Sequence, residues 1–244
     1  MPLPRYKIYK PGGPVGRGVT DAYYVNVTGI AKSDKNGSNI VLNEYVCHHL
    51  ATGLMLPVPT GFVIDRSGES HFVSLDFTFA GEDLPPADVQ FLIANQGFFA
   101  IGIILFDIWI MNSDRHIRNI AYDTINNRVQ IFDHSHSLFG FGDIKMHLAQ
   151  NVKKPYIDRH CLAQEIKSVE GMREWNDRIN QLPEFYIREG IKNGEALGLP
   201  ADITDLCTKF MLDRRMMLLR LIHDNQYLFP NIPKSEWEKL KDAI

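Results

Sequence analysis

The chain has little that would tie it to a membrane, an export route or a structural metal. No apolar run reaches membrane-spanning length. The longest, FFAIGIILFDIWIM at 98–111, is broken by Asp107 and suits a buried helix. The N-terminal MPLPRYKIYK lacks the apolar core of a signal peptide. Cys47, Cys161 and Cys207 stand at no motif spacing and show no zinc pattern; they read as reduced core thiols of a cytoplasmic protein. No cluster of Lys and Arg marks a lipid-docking surface, and a net charge of -3 argues against a general nucleic-acid surface. Internal repeats and low-complexity tracts are also missing.

What is present suits a globular protein. The 244 residues are 45% hydrophobic and 23% charged, enough for one large domain or two small lobes with ample core. The most informative stretch is FDIWIMNSDRHIRNIAYDTINNRVQIFDHSHSL, from Phe106 to Leu138. Asp114 is followed five residues on by Asn119, and Asp133 comes fourteen residues later at the end of a strand-like run. Phosphoryl transfer needs one carboxylate to orient a nucleophile, and an amide with a second carboxylate to hold a divalent metal. The order IAYD, TINN, RVQIF predicts a hairpin that returns Asp133 close to Asn119.

NSDRHIRN followed by IFDHSHSL resembles the catalytic and metal-binding segments of HipA-like kinases, bacterial serine/threonine kinases that share the protein-kinase fold. Phosphatidylinositol kinases carry a similar D-R-H-x-x-N run. Ordinary protein kinases have H-R-D and D-F-G, whereas this chain has D-R-H and D-H-S. The resemblance implies Asp114 as catalytic aspartate, Asn119 and Asp133 as magnesium ligands, and Arg115 and His116 as supports of the loop. It implies ATP and Mg2+ as cofactors and a protein hydroxyl as acceptor. It also implies a toxin–antitoxin setting with an antitoxin or regulatory partner. The fold it implies is α+β and two-lobed: a small β-rich N-lobe at 1–80 and a larger helical C-lobe at 81–244.

The first eighty residues suit that frame. GGPVGRGVTDAYYVNVTG at 12–29 sets a glycine cluster before a β-branched and aromatic run. Gly16 and Gly18, with Gly12 and Gly13, would let backbone approach phosphates, although a plain turn has the same composition. NIVLNEYVCHHLATGLML has apolar residues at helical spacing and predicts a helix from Asn39 to Gly53. LNEYV at 42–46 and LMLPVP at 54–59 resemble the family's helix and following segment. Glu44 is thereby the acid that would pair with a nucleotide-binding lysine. Lys32 in GIAK is the first candidate for that lysine; a shifted register would put Asn26 there, and Lys35 is a further candidate. GFVID and SHFVSLDF around RSGE predict a hairpin, with an adenine-binding hinge at 74–79 and an interlobe linker at 79–90. Ser33 and Ser38 are expected autophosphorylation sites by family habit.

Beyond Phe91 the pattern is helical. A central buried helix should deliver the chain into NSDRH. A helix over 172–198 should break at Pro183. Another should begin at 199 with Asp202 or Thr204 as N-cap, and a short C-terminal helix should be capped by Ser235. Arg159 and His160 read as solvated surface residues. Three other functions stay open: a pseudokinase or nucleotide-binding regulatory module, a lipid-kinase-like enzyme, and a zinc hydrolase using Asp133, His134 and His136.

Overall fold

The structure, a computed structural model, describes residues 5–6, 8–17, 21–35, 37–78, 87–124, 127–155, 157 and 159–243. Gly18, Phe79 and most of the expected linker (79–86) lie outside them.

Strand β1 (Arg5–Tyr6) and the irregular ribbon of β2 (Ile8–Pro14) and β3 (Tyr23–Val27) open the chain. The register of β2 against β3 slips twice, between Ile8 and Lys10 and between Pro11 and Pro14; at the second, both flanking residues are prolines with no N–H for a ladder. Next come β4 (Gly29–Ser33), helix α1 (Ile40–Gly53), β5 (Gly61–Arg66), β6 (Glu69–Leu75) and β7 (Phe77–Thr78), the last paired with β1. The order β4-β6-β5 is antiparallel throughout, with Lys32 and Val63 both opposite Phe72. Ser67 (φ 58°) and Gly68 (φ 83°) close the β5–β6 hairpin with left-handed backbone at both central positions, as a two-residue turn matched to strand twist requires.

The predicted helix over 39–53 is α1. Its Val41, Leu42, Val46, Cys47, Leu50 and Ala51 are buried. Its far end docks on a later helix, α5 (Glu184–Lys192), where the His49 and Tyr186 rings stack at 4.0 Å. Tyr186 Oη donates to the His49 carbonyl at 3.0 Å. Helix α1 therefore packs on strands β4, β5 and β6 as well as on α5.

Helix α2 (Val89–Trp109) starts at Asp88, whose carboxylate accepts from the Phe91 N–H at 3.0 Å. Residues Ala100 to Trp109 are buried on every side, so its length and apolarity serve the core of the C-lobe. Glycine at 102 leaves room for the Trp175 ring. The chain then makes a 3-10 turn at Ile117–Asn119 and the expected hairpin, β8 (Ile120–Asp123) with β9 (Arg128–Ile131). Helices α3 (Ile144–Asn151) and α4 (Met172–Gln181) precede α5; α6 (Ala201–Met216), α7 (Leu218–Asp224) and α8 (Lys234–Trp237) complete the lobe.

The break at Pro183 falls between α4 and α5. The caps differ from expectation. Pro200, not Asp202 or Thr204, is the N-cap of α6, and Pro233, not Ser235, that of α8. The fixed φ of proline suits the entry, and the Pro200 carbonyl takes the first helical bonds from Ile203 and Thr204 at 2.9 and 3.1 Å. Asp202 still lies in the first turn, where a carboxylate favours the helix dipole.

Candidate active site

Strand β4 and helix α1 bring a cation to a buried acid. Lys32 Nζ lies 2.6 Å from Glu44 Oε1, and the same ammonium lies 2.7 Å from Asp133 Oδ1. It also donates to Ser135 Oγ at 3.2 Å. Of the three candidates for the lysine position, Lys32 is the one that meets Glu44; Asn26 lies on exposed β3 and donates to the Lys10 carbonyl. Glu44 is almost wholly buried, and Oε1 also accepts from the His134 N–H at 3.1 Å and Ser135 Oγ at 2.9 Å. Burial alone would raise its carboxyl; His134 and the Lys32 ammonium outweigh burial and hold it well below the usual carboxylate range.

Asn43, one residue earlier, clasps the same segment. Its amide donates to the Ser135 carbonyl at 2.9 Å and accepts from the Phe139 N–H at 2.8 Å. The Asn-Glu pair on α1 thus holds 134–139 by backbone and side chain, across 90 to 96 residues of sequence. Asn39 adds bonds to the carbonyls of Phe139 and Gly140, and Gly37 accepts from the Gly142 N–H. Ser38 is buried in this seam, bridged to Phe141, and Ser33 ends β4.

Asp133 adopts φ +63°, a left-handed conformation that costs a non-glycine residue on the order of 1–2 kcal/mol. The turn aims its carboxylate at Lys32. Burial pushes that carboxyl up, but the Lys32 hydrogen bond and charge bring it below its ordinary value.

The loop after α2 is tied to this turn. The Asn119 amide nitrogen donates to the Asp114 carbonyl at 2.9 Å, which leaves Oδ1 as its free lone-pair side. The Phe132 N–H donates to the Asn119 carbonyl at 3.2 Å, closing the hairpin one residue before Asp133. Arg115, fully buried, donates through Nη1 to the carbonyls of Asn119 and Phe132 at 2.9 and 2.7 Å. Asp114 is half exposed, and its N–H is held by Asn112 Oδ1 at 3.1 Å. His116 caps the 3-10 turn by accepting from the Arg118 N–H. Gly16 takes φ +65°, which glycine adopts without strain, in the loop after β2.

The oxygen donors of Asn119 and Asp133 suit a hard divalent cation. The zinc reading fares differently. Among the described residues no three His, Cys, Asp or Glu cluster as a metal site. His134 is buried beside Glu44, whereas His136 is exposed and lies 5.1 Å from the Phe141 ring. The strand ends at Ile131, before its alternation could put both imidazoles on one face.

The chain is similar in structure to a Helicobacter pylori proinflammatory kinase, CtkA, with a TM-score of 0.54 and 16% identity over 87% of this chain and 92% of that one. The fold is kinase-like. No protein-family model matches the sequence, and no curated protein does. Two buried residues that look ordinary in sequence underlie the loop after α2. Asp107 breaks an apolar run but accepts bonds from Asn112, Arg115 and His160. His160, which the sequence places on the surface, is buried, because its ring is enclosed between Asp107 and the backbone of Leu162 and Ala163, while Arg159 is exposed.

Proposed function

We propose that this protein is an ATP- and Mg2+-dependent phosphotransferase, a HipA-like serine/threonine kinase that transfers the γ-phosphoryl group to a protein hydroxyl. The observation that carries the reading is the meeting of Lys32 with both Glu44 and Asp133. A cation wedged between two acids is poised to exchange one of them for phosphate oxygens. Asp114, exposed beside the stitched loop, orients the acceptor hydroxyl and takes its proton as oxygen attacks the γ-phosphorus and ADP departs. Lys32, steadied by Glu44, neutralises the α- and β-phosphates. The segment bearing Gly16 and Gly18 covers the phosphates with backbone N–H groups. Asn119 and Asp133 would hold magnesium, which when bound would supply positive charge to the phosphate oxygens. Arg115 and His116 keep the loop in shape. An antitoxin-like partner and a cytoplasmic setting belong to the same reading.

Radiolabelled ATP with magnesium tests it. Wild type should transfer label to itself or to a generic protein acceptor, while Asp114→Ala and Asp133→Ala should not. Equal labelling by all three would remove the catalytic claim. A nucleotide-dependent thermal shift without transfer in any of them would favour a pseudokinase.

A further inference from the structure

Asp107 lies fully buried in the last turn of α2, and both of its oxygens are filled. Oδ1 accepts from Asn112 Nδ2 at 2.9 Å and Arg115 Nη2 at 3.0 Å. Oδ2 accepts from Arg115 Nε at 2.8 Å and meets His160 Nε2 at 3.0 Å. Four donors saturate the lone pairs of a carboxylate. The guanidinium is thereby fixed on one edge by a bidentate acid, and its remaining nitrogen bridges the carbonyls of Asn119 and Phe132.

His160 supplies the fourth donor from another part of the chain. Its Nδ1 accepts from the N–H groups of Leu162 and Ala163 at 3.2 and 3.3 Å. Nδ1 must carry a lone pair for this, so the ring proton sits on Nε2 and points at Asp107. The Cys161 N–H donates to the Arg115 carbonyl at 3.0 Å, binding the same turn to the loop.

We infer that Asp107 and His160 are positioning residues that set the spacing of the two cation ligands, Asn119 and Asp133, by fixing the rotation of Arg115. The inference rests on the kinase reading for the identity of those ligands. A guanidinium held on one edge only would pivot about Nη1, and the two carbonyls it bridges adjoin the two ligands. Residues that orient metal ligands in this way typically change affinity about 10–100-fold when altered.

Two conservative variants separate positioning from local folding. His160→Gln keeps a donor where Nε2 stands and loses the Nδ1 acceptor. His160→Asn keeps an acceptor for Leu162 and Ala163 and loses the bond to Asp107. Binding of Mn2+ with a non-hydrolysable ATP analogue is measured by electron paramagnetic resonance, with thermal melts alongside. Wild type should bind the ion. His160→Asn should weaken it about tenfold, whereas His160→Gln should stay within about twofold of wild type. Equal weakening in both variants, or none in either, overturns the inference while leaving the kinase reading intact. Failure of folded wild type to bind Mn2+ overturns the metal-site reading and this inference together.

Discussion

Lys32 stands 2.6 Å from Glu44 and 2.7 Å from Asp133, so one ammonium joins strand β4, helix α1 and the turn after β9. Removing it leaves two acids facing each other, one of them buried. Lys32→Met should lower stability by about 2 kcal/mol, visible as a fall in chemical-denaturation midpoint. It should cut phosphoryl transfer by roughly 10²–10³, the scale for losing one preorganised charge. Unchanged transfer would place the phosphates elsewhere.

The same contact sets an acid limit. The folded pKa of Asp133 lies below its unfolded value, near 3.9 for an ordinary aspartate. The contact therefore contributes stability above about pH 4, and that contribution is lost as the pH falls through the lowered folded pKa. The stability difference between wild type and Asp133→Asn should shrink below about pH 4 in melts. A constant difference down to pH 2 would contradict the pairing.

Helix α1 carries Glu44 and is pinned at its other end to α5. A Cβ added at Gly190 would meet the His49 ring, which is already stacked on Tyr186. Gly190→Ala should destabilise the fold by about 1–3 kcal/mol and weaken binding of an ATP analogue, as α1 is displaced. Isothermal titration and melts check both. Full nucleotide affinity despite lost stability would show that the seam does not position Glu44.

Much of the site is legible in sequence because its pieces are local. Asp114 and Asn119 share one loop, the β8–β9 hairpin follows from alternation and a turn, and α1 follows from apolar spacing. What stayed hidden is long-range and polar. Asn43 reaches Ser135 and Phe139, and His160 reaches Asp107 over 53 residues. Asp, Asn and His lie by default on surfaces or in turns, and periodicity does not say which of them is buried by a distant partner. The caps at Pro200 and Pro233 were missed for a different reason: Asp, Thr and Ser nearby carry the stronger capping signal, while proline enters through its fixed φ.

The thiols should differ in reactivity. Cys47 and Cys207 are buried, and burial pushes both thiols up; Cys161 is partly exposed and is pushed up to about 11 by burial, despite nearby Arg115. Native alkylation should modify Cys161 alone, slowly at neutral pH and faster as the pH approaches 11. Mass spectrometry after timed labelling reads this. Rapid labelling of Cys161 at pH 7 would contradict its environment.

The most direct measurement is a crystal structure with Mn2+ and a non-hydrolysable ATP analogue. The account predicts one cation bound by both Asn119 Oδ1 and Asp133, with Lys32 released from Asp133 to the α- and β-phosphates while keeping Glu44. A cation held without Asn119 and Asp133, or a Lys32 still locked on Asp133 above a bound nucleotide, would contradict it.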